Sequence, residues 1–499
     1  MKNKTLKTLS LFLASMMLMC ALAGCKKDAG ESETSDTKGG IIQNDSTNIG
    51  DPYYDNYERD DLPEDLNYGG YEFTILCDKG QYGKSFTDAY TGDVLNSALF
   101  ERGKVVESRL GVTLNVVRET GGYNDMDNFI QKLAMAGESY DLVLAYNLTP
   151  ASMAIQGLLY DMSKTEYLNF DKPWWSSELV NNVSIDGKVF FTGDNSSWNN
   201  LRNMNALFVD RELFLSNHPG MKIEDLYDLV ENKQWTMEKM FQLVEGTWQN
   251  KDTDTNVTAG DVFGLSCGNN VWIESWYYAA GFLTLQQNNN GDWSFNIGEQ
   301  KSVDFVDWFQ AKYHGSNDCY TNDSEQYKMF KEGRAQFYVS ALSIVEQGLT
   351  REFTVLPMPM YDTGVQDSYV THFANTYDMY GIPLQSPDYD RSSAVLECLA
   401  SEAYRRIAPA YFENYLKSRN SSDARMADMY DVIRDGIVFD QGVIFGELFV
   451  DGHNPVYYVR RALAKYPGYE SLGATWHAQI DQQYLGIWKE NLNKLGNVG

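Results

Sequence analysis

Several stretches of this 499-residue chain carry residue types at spacings that chemistry can use. Gly264-Leu265-Ser266-Cys267-Gly268 has the G-x-S-x-G pattern of a serine nucleophile on a strand-to-helix turn. That serine would need an oxyanion loop, an acid and a histidine. His453 and His477 lie downstream, but no glycine-rich oxyanion loop precedes Ser266, so the string reads as a strand running into a turn. Asp252-Thr253-Asp254-Thr255-Asn256 begins as an oxygen-ligand calcium loop does. Val257 stands where such a loop needs glycine and Phe263 where it needs glutamate, so a solvated turn is expected. The histidines, His218, His314, His372, His453 and His477, show no H-E-x-x-H or similar ligand spacing, which argues against a zinc enzyme. No phosphate loop or dinucleotide-binding glycine pattern occurs. A glycosidase needs two carboxylates at a set separation, which sequence does not measure; with 69 acidic residues, that alternative stays open. The sequence assigns no catalytic residue, no metal and no cofactor.

The elements that would position any site alternate strand and helix. Tyr71 to Cys77 reads as a strand, followed by a turn at Asp78-Lys79-Gly80. Asp93 is placed to cap a helix with apolar residues from Val94 to Leu110 at helical spacing, and Gly111 to end it. Val112 to Val117 is a second strand, Met126 to Ala136 a second helix. Asp141 to Ala145 is a nearly all-apolar third strand, of the kind buried on both faces. This β-α-β-α-β order predicts an α/β fold with parallel strands and right-handed crossovers. Ligands on such sheets sit beyond the C-terminal strand ends, here the loops starting at Asp78 and Tyr146. Further on, residues 187–194 read as a hairpin strand. Residues 224–248 read as helix broken at Asn232-Lys233, and 392–436 as helix interrupted at Pro409.

The N-terminus carries Lys2, Lys4 and Lys7, then an apolar run from Leu9 to Leu22 that is too short to span a bilayer and reads as a secretory signal peptide, residues 1–24. It ends in Leu22-Ala23-Gly24-Cys25, which resembles a bacterial lipobox; the resemblance implies cleavage before Cys25 and lipid on that cysteine. Residues 25–66 are polar and read as a flexible tether, with a root-mean-square reach of roughly 35 Å. The formal charge is −28, and losing the three leader lysines takes it to −31, which speaks against nucleic-acid binding. Cys77, Cys267, Cys319 and Cys398 are widely spaced and are expected as buried thiols.

Past the leader, Phe208 to Phe214 is followed by Trp235-Thr236-Met237-Glu238-Lys239, then by Phe330-Lys331-Glu332-Gly333-Arg334-Ala335-Gln336-Phe337, then by Leu396 to Glu402 and Pro409-Ala410-Tyr411-Phe412. In this order the segments resemble the extracellular solute-binding proteins of bacterial sugar ABC transporters, in the maltodextrin-type class. The resemblance implies a two-lobed periplasmic-binding-protein-like fold with a hinge and an interlobe ligand cleft. One lobe is expected from residues 67–200 and 351–404, the other from 201–350 and 405–499, with crossings near Asn200, Arg351 and Tyr404. It also implies a non-enzyme that closes around its ligand and passes it to ABC permease subunits. The expected location is the extracellular face of the cytoplasmic membrane, as a lipid-anchored monomer.

Sugars present flat C–H faces and rings of hydroxyls, so their sites need aromatic platforms beside hydrogen-bonding side chains. Aromatic residues make up 14% of the chain. Those placed in rim loops are Tyr146, Trp198, Trp272, Trp276, Tyr377 and Tyr380. The polar residues there are Asp78, Asn147, Asp194, Asn199, Asn269, Asn270, Asn375 and Asp378. The expected function is capture of a mono- or oligosaccharide, with a secreted glycoside hydrolase or a polysaccharide-binding surface adhesin as alternatives.

Overall fold

The computed structural model describes residues 57–498, apart from 79–81, 120–127, 129, 132–133, 136, 138, 252–255, 289, 323–324, 374–376 and 450–453. The first sheet begins with β1 (Tyr71–Asp78), and helix α1 (Val94–Leu110) leads to β2 (Val112–Glu119). The Asp93 side chain accepts from the N–H groups of Leu95 and Asn96, and Gly111 ends the helix at φ 61°, a left-handed conformation that glycine adopts freely. β3 (Leu142–Tyr146) is buried along its whole length, and α2 (Thr149–Ile155) follows it. Helix α3 (Ser177–Val183) and the short β4 (Phe191–Thr192) complete the first pass through this lobe.

A first crossing, containing α4 (Trp198–Arg202), enters the second lobe at β5 (Asn205–Asp210). There follow β6 (Phe263–Ser266), α5 (Glu274–Ala279) and a hairpin of β7 (Leu285–Gln287) and β8 (Trp293–Phe295). α6 (Gln300–Tyr313), β9 (Cys319–Tyr320), β10 (Ala335–Ala341) and β11 (Phe353–Leu356) finish that sheet, whose order is β11-β5-β10-β6-β9. A second crossing returns the chain to β12 (Asp378–Gly381), which makes the first sheet β2-β1-β3-β12-β4. α7 (Tyr389–Glu402) packs on α1, and π-helical turns at Ala403–Ile407 and Ala410–Arg419 lead to α8 (Ala424–Asp435) against β11. That is the third crossing. The C-terminal segment includes α9 (Val456–Leu463), on α5 and α6, and α10 (Ala478–Asn497), on α2. It therefore touches both lobes. Among the described residues no helix is long and apolar enough to cross a membrane.

The two-lobed expectation holds, with local corrections. The tether does not extend to residue 66. Asp60 is buried in an ion pair with Arg109, Lys172 reaches Glu58 and Asp61 at 2.7 Å each, and Tyr57 stands edge-on to Tyr404 at 5.3 Å. Arg351 is not a crossing point: its guanidinium pairs with Asp210 inside the second lobe, and the chain leaves only after β11. Of the hairpin strand expected at 187–194, Phe191–Thr192 is strand, while Lys188 pairs with Ile185 across a tight turn and Asp194 with Trp175 as isolated bridges. Pro409 does not interrupt the helix. The surrounding turns widen to π geometry, which absorbs its missing N–H, and the break falls after Asn420 instead. The helix expected at 126–136 lies largely outside the described residues. Cys77, Cys267, Cys319 and Cys398 are buried and unbridged.

Candidate functional site

β4, which leads to the first crossing, runs parallel to β3, since both oppose β12. In the second lobe β6, β9 and β10 run parallel; β10 ends at Ala341 opposite Asn205, which opens β5, and β6 and β9 end at Ser266 and Tyr320, in register with Tyr338. The C-terminal strand ends of both sheets therefore lie on the side of the crossings, where an α/β sheet offers loops for binding.

Residues from both lobes meet there. Tyr146 closes β3 and the fully buried Asn147 follows it. Tyr377 precedes β12, whose first residue, Asp378, opposes Tyr146, and its hydroxyl lies against the Asn147 amide. From the other side, Glu274 opens α5 and forms an ion pair with Arg460 of α9. The Arg460 charge reaches Tyr146 in the first lobe as well as Tyr278 and His372. His372, from the second crossing, lies flat on Tyr278 with centroids 3.8 Å apart and planes 7° apart, and its carbonyl accepts from Asn205 N–H at 2.9 Å. Tyr278 O–H donates to Asp440 at 2.9 Å; the same carboxylate accepts the N–H groups of Thr284 (2.8 Å) and Gly442 (2.9 Å).

Burial governs the charges. It raises the Glu274 carboxyl above its ordinary range, with Arg460 opposing, and raises Asp440 against the backbone N–H groups that stabilise its charge. Burial, then Arg460, pushes His372 down to about 3, so its ring is neutral at neutral pH. Glu274 Oε2, Asn205 Oδ1, His372 Nδ1 and, at the neighbouring strand end, Ser266 Oγ are buried without a hydrogen-bond partner. Each such atom costs about 1–3 kcal/mol unless something meets it. Two are acceptors only, and the other two accept in one rotamer or tautomer. The arrangement is suited to receiving hydroxyl donors.

A cavity of about 520 Å³ lies beside the first crossing, with walls that include Phe86 and Leu99 of the first lobe, Trp198 of the crossing itself and Glu346 of the second lobe. Arg202 bonds Glu346 through two nitrogens, at 2.9 and 2.5 Å, and lies 5.0 Å from the Trp198 ring centroid.

The sequence candidates separate. Tyr146, Asn147 and Tyr377 fall in the cluster, Trp198 in the cavity wall. Trp272, Asn269 and Asn270 fall in the partly exposed loop after β6. Trp276 does not reach a cleft: it is wholly buried against Phe241 and Phe309, because α5 turns that face toward the helical layer. Asp194 and Asn199 are tied into the crossing. Asp194 accepts Ser196 N–H at 2.8 Å, while Asn199 and Ser85 each donate to Asp378 at 2.8 Å. Burial pushes Asp194 up to about 7 and Asp378 up to about 6. Tyr380 is buried in β12. Asn375, Cys25, His453 and the loop 252–255 lie outside the described residues, as does the Asp78 side chain. Ser266 ends a strand, and the next helix waits until Glu274, so no nucleophile elbow forms. Among the described residues no group of three or more His, Cys, Asp or Glu is placed to hold a metal. Sequence reasoning missed Glu274, Arg460, Tyr278, His372, Asp440 and Asn205. Glu274 and Arg460 are 186 residues apart, and neither sits in a pattern that marks it.

Residues 104–408 match the model of a family described as bacterial extracellular solute-binding protein. Among solved structures, a cyclo/maltodextrin-binding protein complexed with maltotetraose is similar at a TM-score of 0.56 and 12% identity. The match covers 84% of this chain and 97% of that one. No curated protein matches.

Proposed function

We propose that this chain, which belongs to the family of bacterial extracellular solute-binding proteins, captures a mono- or oligosaccharide between its lobes and hands it to an ABC permease. In this reading lipid on Cys25 holds the protein at the outer face of the cytoplasmic membrane. The observation that carries the reading is the set of buried, unmet acceptors around Glu274 and Arg460, brought by the second lobe against Tyr146 and Asn147 of the first. A guest with many O–H groups satisfies them, and one that touches both lobes favours the closed state over the open one. Aromatic surface is at hand in the partly exposed Trp272 of the loop that precedes Glu274.

The glycosidase alternative needs one carboxyl free to give a proton and a second free to attack or to activate water. The acids of the cluster are otherwise engaged. Asp440 is occupied by Tyr278, Thr284 and Gly442, and Glu274 gives one oxygen to Arg460. Site residues on this reading orient and stack; they do not react.

The test is a titration of the full-length chain in detergent against a panel of neutral mono- and oligosaccharides, followed by mass analysis of the recovered sugar. Saturable binding with the sugar intact is expected. Shortened products would transfer the site to the hydrolase class, and no binding across the panel would remove the sugar reading.

A further inference from the structure

Resting on the reading of the cleft as a sugar site, we infer that Glu274 selects the chemical class of the guest. Its uncommitted oxygen accepts a hydroxyl of a neutral sugar, and its charge turns away sugars that carry a carboxylate. One oxygen, Oε1, is held by Arg460 Nε; the other, Oε2, is buried with no hydrogen-bond partner, on a residue that is 1% exposed. An ionised carboxylate accepts and never donates, so whatever meets Oε2 brings the hydrogen. Of the donors nearby, Tyr278 O–H goes to Asp440 and Asn205 Nδ2 to Ser275 Oγ at 2.6 Å, while Asn147 Nδ2 and Trp276 Nε1 are buried without a partner and so do not meet Oε2.

Position distinguishes this oxygen from an ordinary buried one. α5 begins directly after the strand-end loop of the second lobe, and the partner of Glu274 reaches across to Tyr146 of the first, so the carboxylate stands where the lobes meet. The charge balance there decides against acids. Arg460, the cation of the cluster, gives its Nε to Glu274, and Asp440 adds a second carboxylate beside it. A uronic acid would bring a third carboxylate to face that one cation in a dry site, whereas a hydroxyl brings a donor and no charge.

The experiment uses the full-length chain in detergent. The tightest neutral hexose or hexoside of the panel is titrated beside its uronic acid, oxidised at C6, into the wild type and into Glu274→Gln. The wild type is expected to prefer the neutral sugar by at least about tenfold. The variant, which keeps the volume and removes the charge, should lose at least about tenfold for the neutral sugar while the gap to the uronic acid narrows. A residue that merely steadies Arg460 would lower both affinities alike; an unchanged ratio therefore overturns the inference. Should the variant fail to fold, the wild type alone decides, since a uronic acid bound as tightly as the neutral sugar is equally contradictory. Absence of any neutral binder in the wild type is a different result, the failure of the sugar site itself.

Discussion

At the residue scale the acids divide into those that face a guest and those that build the crossing. Asp194 and Asp378 belong to the second kind. Their carboxyls are raised to about 7 and about 6 from an ordinary 3.8, in each case chiefly by burial. The groups around them are Arg102, Ser85, Asn199, Tyr380 and the N–H groups of Ser196 and Ser197. A carboxyl raised on folding binds its proton more tightly in the folded state. Its contribution is full below the unfolded value and is lost as pH climbs toward the folded one. The melting midpoint should therefore decline as pH rises from about 4 to about 7 and level off above that, and Asp194→Asn should flatten the slope. A slope unchanged in the variant would show that other groups set it. The aromatic platforms make a prediction of their own. Trp198→Ala and Trp272→Ala should each weaken sugar binding by about 1–2 kcal/mol in calorimetry, and unchanged affinity in both would discard them as contacts.

At the scale of elements, what could be read from the sequence followed local chemistry. Asp93, Gly111 and the apolar run of β3 act on their near neighbours, and the structure places them as the sequence predicts. The strap at 57–66 did not announce itself, because its charges look solvating until Arg109 and Lys172 are folded beside them. Trp276 looked like a rim residue for a like reason: its neighbours in sequence show neither that it lies on a helix nor which face of that six-residue helix it occupies. The strap now makes a test. Asp60 is buried against Arg109, its carboxylate accepts Leu62 N–H at 3.1 Å, and its own N–H donates to Ser401 Oγ at 3.2 Å. Asp60→Ala strands a largely buried guanidinium and should destabilise the chain by about 3 kcal/mol, seen in urea unfolding. A change under about 0.5 kcal/mol would mean that the strap lies on the lobe without bracing it.

At the scale of the molecule, two sheets face each other by their C-terminal strand ends, joined by three crossings and covered on one side by a C-terminal segment that touches both. The two-lobed plan was legible because each half follows the α/β rule by itself. The centre of the cleft was not, since it assembles residues as distant as Tyr146, Glu274, His372 and Arg460, and no local pattern links them. Hydrogen exchange of the full-length chain, with and without its tightest neutral sugar, tests the claim most directly. The account predicts added protection in both lobes together, at residues 146–149 on one side and at 266–278 and 457–461 on the other. Protection confined to a single lobe, or none at these strand ends, would contradict capture between the lobes.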